Sequence, residues 1–144
     1  MVVRTFSKCY GLAAVRCGFV MADAKWIDYA NRVREPFNCN MFAQVAAAAA
    51  LTDESFVNRS VETNEAGRAQ LHAALEDLVE IIPSQTNFLL MKTPVPGVEV
   101  YDALLKKGVI VRPLAGYGLH DYIRVTIGTA KQNDAFIKAL KAVL

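Results

Sequence analysis

The stretch NFLLMKTPVPGVEVYDALLKKGVIVRPLAGYGLHDYIRVTIGT, running from Asn87 to Thr129, decides the fold. Its first six residues, Asn87 to Lys92, read as a buried strand, and Pro94-Val95-Pro96-Gly97 as a loop. Val98 to Lys107 reads as a short helix closed by Gly108, a residue that accepts the left-handed backbone of a helix end. Val109 to Arg112 and Ile123 to Ile127 are two further strands, with a glycine-containing loop from Pro113 to Tyr122 between them. Gly128-Thr129 then leads into a last amphipathic helix with Phe136, Ile137, Leu140 and Leu144 on its apolar side. Strand, helix, strand, strand, helix is the alternation of an α/β (α+β) layer.

Upstream of Asn87, Pro83-Ser84-Gln85 is a turn, and a long helix is expected from Ser55 to about Val79. Its candidate core positions are Phe56, Val61, Leu71, Leu75, Leu78 and Val79, and its middle, Glu62-Thr63-Asn64-Glu65, is polar. Thr52-Asp53-Glu54 reads as a break with a fresh helix start. The alanine-rich segment Met41 to Leu51 is helical by propensity, and its run from Ala46 to Ala50 suits close helix packing. Asp23 to Arg34 reads as an amphipathic helix with Asp23 as N-cap and Pro36 beyond its end; Trp26 and Tyr29 are candidate core or dimer-contact aromatics. Val2 to Phe6 and Gly18 to Ala22 are short β-type runs, so the chain opens as strand, polar turn, strand.

Composition narrows the function classes. The 144 residues hold 53% hydrophobic and 21% charged side chains, the profile of a globular chain with enough length for one core. Sixteen basic against fourteen acidic residues leave a formal charge of +2, which argues against a nucleic-acid binder. The longest apolar run, Val45 to Leu51, is too short to span a bilayer, and Met1 to Thr5 lack the build of a signal peptide, so a cytoplasmic protein without a membrane partner is expected. Cys9, Cys17 and Cys39 lack CxxC spacing and read as free thiols. His72 and His120 match no metal-ligand pattern, so no metal is expected, and His120-Asp121 reads as a solvated loop pair.

Chemistry is concentrated near the start. Ser7-Lys8 follows a strand, Thr5 and Ser7 offer hydroxyls, and a turn can fold Arg16 back alongside Lys8. Two hydroxyls and a guanidinium suit a phosphate, and a lysine beside a phosphate site, once desolvated, can attack a carbonyl. A lysine at a strand end can also be a solvated surface charge.

The segment from Arg4 to Phe19, RTFSKCYGLAAVRCGF, resembles the lysine segment of fold-type I pyridoxal-phosphate aminotransferases. Glu35 to Asn40, Gln44 to Leu51 and Thr86 to Leu89 continue the likeness in order. Gly108 to Pro113, Tyr117-Gly118-Leu119 and Tyr122 to Thr129 resemble the histidinol-phosphate aminotransferase type in particular. The resemblance implies that Lys8 bonds covalently to pyridoxal 5'-phosphate and shuttles the proton of transamination. It assigns Ser7 and Arg16, with Thr5, to the cofactor phosphate. It gives Arg124 to the acidic end of the substrate, Arg112 to a substrate phosphate, and Asn87 to the substrate side, although Asn87 also reads as a strand-end cap.

The implied activity is amino transfer between histidinol phosphate, or a related amino compound, and 2-oxoglutarate, in histidine biosynthesis. Other pyridoxal-phosphate aminotransferases and threonine-phosphate decarboxylases share these patterns. Ala14 stands where the family usually has glycine. The likeness covers only the C-terminal portion of such enzymes, whose other part supplies the acid facing the pyridine nitrogen and the aromatic stacked on the ring. The implied organisation is residues 1–40 as a remnant of the large cofactor domain, 41–82 as connecting helices and 83–144 as the small C-terminal domain. The chain alone is then expected to be inactive and to form a homodimer or larger self-assembly through its open strand edges. The competing reading is a non-catalytic α/β module that self-associates.

Overall fold

The computed structural model describes all residues from Met1 to Leu144, which divide into two compact units, Met1–Val61 and Glu62–Leu144. The first unit opens with β1 (Val2–Thr5) and β2 (Gly18–Met21), an antiparallel pair in which Thr5 lies opposite Gly18 and Val2 opposite Met21. Helix α1 (Ala24–Val33) follows; Asp23 occupies the N-cap position, but its side chain makes no capping bond, which corrects half of that expectation. Helix α2 (Met41–Thr52) is capped by Asn40, whose side chain accepts from the Ala43 amide. The break at Asp53 is real: its carboxylate accepts from the Phe56 amide at 2.9 Å and from the Ser55 hydroxyl, starting α3 (Glu54–Leu75).

In the second unit, β3 (Glu80–Ile82), β4 (Phe88–Lys92), β5 (Arg112–Leu114) and β6 (Leu119–Thr126) form one antiparallel sheet in the order β3-β4-β6-β5. Helix α4 (Gly97–Leu105) precedes β5, and α5 (Ala130–Lys141) follows β6 behind a Thr129/Gln132 capping box. Alternate residues of a strand point to opposite faces. Leu89 and Met91 of β4 register with Val125 and Ile123 of β6, and these join Leu71 and Leu75 of α3, Val100 and Leu104 of α4, and Phe136 and Leu140 of α5 in one buried core. The three helices thus supply the apolar half of the core, and the opposite face of the sheet carries Phe88, Leu90, Tyr122 and Arg124. The α/β (α+β) class implied by the alternation of elements is the observed one. No helix is long and apolar enough to cross a membrane.

Several expectations change. Helix α3 stops at Leu75, short of Val79, and the apolar residues beyond it turn into β3, which the sequence did not single out. Phe56 and Val61 are 40% and 44% exposed and are not core residues, whereas Leu71, Leu75 and Val79 are buried. Trp26 and Tyr29 meet in a tilted pair with ring centroids 6.1 Å apart, but both are exposed, so they are not core aromatics. The strand expected at Val109–Arg112 begins only at Arg112. Gly108, at φ +77°, turns the chain so that the Val109 amide donates back to the Leu104 carbonyl at 3.0 Å, and an amide used to close a helix is not free for a ladder. Pro113 is tolerated in β5 because that strand lies at the sheet edge. The loop expected from Pro113 to Tyr122 instead holds a short 3-10 turn, Ala115–Tyr117, and the first half of β6.

Candidate active site

Residues 6–17 connect β1 to β2 and carry the lysine. The segment is closed at its base by the Phe6 amide, which donates to the Cys17 carbonyl at 3.1 Å, one step beyond the Thr5–Gly18 pair. Gly18 is required there, because a Cβ would sit 2.6 Å from the Arg4 carbonyl oxygen. Phe6 is the anchor: it is 3% exposed and packs against Tyr10 and Phe19 with ring centroids 5.0 and 5.6 Å away. Its carbonyl accepts from the Leu12 amide at 2.9 Å, which folds the segment back on itself.

Lys8 opens a tight turn in which its carbonyl accepts from the Gly11 amide at 2.9 Å, with Gly11 at φ +69°. The Lys8 side chain is exposed and has neither an ion pair nor a hydrogen bond. The Thr5 hydroxyl oxygen accepts from the Ser7 amide at 3.1 Å, which leaves its own proton to donate. Arg16 adopts a left-handed backbone, φ +58°, and one guanidinium nitrogen donates to the Ala13 carbonyl at 2.7 Å. The guanidinium carries five N–H donors, so most of them stay available, and no carboxylate pairs with it. A free amine, two hydroxyls and an unpaired guanidinium on one folded segment are a donor set that fits a phosphate-bearing aldehyde.

Two contacts fix this segment to the helices of its own unit. The Asn40 side chain donates to the Val15 carbonyl at 3.2 Å while it caps α2, and the Cys9 thiol reaches the Val57 carbonyl at 3.9 Å. Neither Phe6 nor Asn40 was among the expected site residues. For Asn40 a signal existed in its place just ahead of an alanine-rich helix; for Phe6 there was only its position at a strand end. Cys17 and Cys39 bring their Sγ atoms to 3.8 Å, and burial, followed by the hydrogen bond and charge of Cys39, pushes the Cys17 thiol up.

The expected substrate residues lie in the second unit. Arg124 of β6 is in register with Arg112 of β5 on one side and Leu90 of β4 on the other, so the two arginines are direct cross-strand neighbours on one face. Like charges opposite one another destabilise a sheet, and neither arginine has a carboxylate partner. Such a pair is suited to a multiply charged anion. The Arg124 guanidinium lies over the Phe88 ring, 5.1 Å from its centroid, which orients it and shields one face. Phe88 is a third residue that the sequence reading did not assign. Asn87 is exposed; its carbonyl accepts from the Ile127 amide at 3.0 Å, so its backbone ends the strand pairing and its side chain is uncommitted. Lys8 and the arginine pair belong to different units.

The family model of aminotransferase class I and II matches residues 1–140. Histidinol-phosphate aminotransferase 2 of Methylococcus capsulatus is 47% identical over 145 aligned residues, covering 100% of this chain and 39% of the relative. Among solved structures, the histidinol-phosphate aminotransferase of Clostridium acetobutylicum superposes with a TM-score of 0.91 at 27% identity, over 98% of this chain and 44% of that one. The histidinol-phosphate aminotransferase of Sinorhizobium meliloti, solved in complex with pyridoxal-5'-phosphate, gives 0.87 at 26% identity, over 98% and 40%. The chain spans about two-fifths of the length of the curated relatives it matches. With the lysine segment, the antiparallel sheet and the match over nearly every residue in agreement, the chain belongs to the class I and II aminotransferases.

Proposed function

We propose that this chain carries the lysine segment and the small domain of a pyridoxal-phosphate aminotransferase. The enzyme would move an amino group between histidinol phosphate, or a related amino compound, and 2-oxoglutarate, in histidine biosynthesis in the cytoplasm. The observation that carries the reading is Lys8, an amine without a partner, held in a tight turn on the same folded segment as Thr5, Ser7 and Arg16. The residues divide as 1–40 from the cofactor domain, 41–82 connecting and 83–144 the small domain.

Bound pyridoxal 5'-phosphate supplies an aldehyde carbon and a ring that takes up electrons. Lys8 Nζ would hold the cofactor through that carbon, and the same amine would hold and move the proton at the substrate carbon. Ser7 and Thr5 would donate hydroxyl hydrogen bonds to the cofactor phosphate, and Arg16 would offer the remaining donors of its planar guanidinium. Arg124 grips the acidic end of the substrate, Arg112 takes its phosphate, and Asn87 lines the substrate side. The cross-strand arginine pair supports a doubly anionic substrate. The pyridine nitrogen needs an acid to stay protonated, and none of these residues is acidic, so the chain by itself is expected to lack transaminase activity.

Cofactor titration, borohydride reduction and peptide mapping test the proposal. A single adduct on Lys8, absent from Lys8→Ala, supports it; adducts scattered over surface lysines and equal in the variant would leave a non-catalytic α/β module. Assay of a whole enzyme containing this chain against histidinol phosphate, phenylalanine and threonine phosphate separates the aminotransferase from its decarboxylase and aromatic relatives. We also propose self-association, as a homodimer or larger assembly. The β1–β2 pair has two open edges, and Val2, Val3, Val20 and Met21 are exposed on it. Light scattering after size exclusion is expected to give more than a monomer mass; a clean monomer at high concentration would refute it.

A further inference from the structure

We propose that Cys17 and Cys39 are a dithiol pair that closes to a reversible intramolecular disulfide under a peroxide or a small-molecule disulfide. Their Sγ atoms are 3.8 Å apart and all three cysteines are free. An S–S bond of about 2.05 Å needs side-chain rotation through less than the width of one atom.

The backbones on both sides are held. The Cys17 carbonyl accepts from Phe6 at the base of the lysine segment, and the Cys39 carbonyl accepts from the Gln44 side chain at 3.0 Å. Next to Cys39, Asn40 caps α2 and donates to the Val15 carbonyl. The two thiols therefore face each other because the chain around each is tied down, in part by this link between them, not because one flexible loop happens to pass another. Cys9 is different: its thiol is turned to the Val57 carbonyl at 3.9 Å and has no sulfur partner. Both members of the pair are half-buried and not sealed off, which leaves an oxidant access.

With a peroxide, one thiolate attacks a peroxide oxygen, the O–O bond breaks, and a sulfenic acid and water result. The second thiol attacks that sulfur and expels hydroxide, which takes the remaining thiol proton to leave as water. Two S–H bonds are replaced by one S–S bond, and one peroxide is reduced to two waters. With a small-molecule disulfide, exchange through a mixed disulfide transfers the same two electrons and releases two small thiols. The link would join the residue after Arg16 to the residue before the α2 cap, clamping the far end of the lysine segment. The inference does not depend on whether the chain binds pyridoxal phosphate.

The test is mild oxidation of the native chain with hydrogen peroxide and, separately, with glutathione disulfide. Thiol counting and non-reducing peptide mapping follow. The expected result is loss of two thiols, a linked Cys17–Cys39 peptide within one chain, an alkylatable Cys9, and full recovery with dithiothreitol. The oxidised chain should also melt at a higher temperature than the reduced one, a shift absent from Cys39→Ser. Three thiols reacting at one rate, a linkage through Cys9, or disulfides only between chains would each overturn the proposal. The mapping uses the unmodified chain, so it stands even if Cys39→Ser folds poorly.

Discussion

Arg16 holds a left-handed backbone at φ +58°, where a residue with a Cβ loses about 1–2 kcal/mol relative to its ordinary conformation. Strain of that kind persists where the surroundings impose it, and here it aims a guanidinium along the lysine segment. Arg16→Gly separates the two effects. Relief of the strain is offset by the roughly 0.5–1 kcal/mol that glycine's flexibility costs in folding, so the melting midpoint should stay level or rise slightly. Loss of charge-assisted bonds to a phosphate, about 1.5–3 kcal/mol, should weaken cofactor uptake by roughly tenfold to a hundredfold. A variant that binds pyridoxal phosphate as well as the parent would remove Arg16 from the site. How much of the site was legible follows from the same scale. Lys8, Ser7, Thr5 and Arg16 stand close in sequence and could be read as a cluster, whereas Phe6 as the buried anchor and Asn40 as the tie to Val15 depend on contacts that local sequence does not express.

Helix α3 contains Gly67, and propensity alone favours alanine there by about 1 kcal/mol. Packing opposes it. A Cβ would meet Ile127 Cγ2 at 2.6 Å and Asn133 Nδ2 at 2.8 Å, and that Asn133 amide is already committed to Gln70 and to the Gly128 carbonyl. Overpacking typically costs about 1–3 kcal/mol, so Gly67→Ala should lower the urea midpoint despite its helix propensity; an unchanged or raised midpoint would show that the contact relaxes freely. At the start of the same helix, the hydrogen bonds from the Phe56 amide and then the Ser55 hydroxyl hold the Asp53 carboxyl below its usual range. A depressed carboxyl contributes stability above its unfolded value and loses it as pH falls through its folded value. The melting midpoint should therefore drop between about pH 5 and pH 3 more in the parent than in Asp53→Asn, which keeps a neutral cap; parallel curves would refute the assignment. The Asp53 break was legible because a cap is a local pattern; the Thr129/Gln132 capping box is local too, but only its lead-in, Gly128-Thr129, was read. The end of α3 and the birth of β3 were not legible, since the stretch from Leu78 to Ile82, apolar except for Glu80, suits either element and is decided by β4 beside it.

The two units differ in how they are held together. In Glu62–Leu144, four strands and three helices share one core with Leu71, Leu89, Met91, Leu104, Ile123 and Leu140 fully buried. In Met1–Val61, only Phe6, Ala43 and Ala47 are buried hydrophobics, and Phe37, Phe42 and Val45 are exposed. Burying a large apolar side chain contributes about 1.5–3 kcal/mol, so the second unit alone has the means to offset its chain entropy. This asymmetry was partly legible: the alternation downstream of Pro83 already marked a self-contained layer, but the contribution of α3 to its core follows only from the burial of Leu71 and Leu75. Native-state hydrogen exchange should therefore be biphasic, with β4 and β6 amides protected to the level of global unfolding and β1–β2 amides exchanging far sooner. Leu104→Ala, which opens a cavity worth about 2–5 kcal/mol, should accelerate exchange in β4, β6 and α5 and leave β1–β2 unchanged. Residues 62–144 expressed alone should retain the protected set. Uniform protection along the chain, or loss of β4–β6 protection in the isolated segment, would mean instead that the two units are stable only as one.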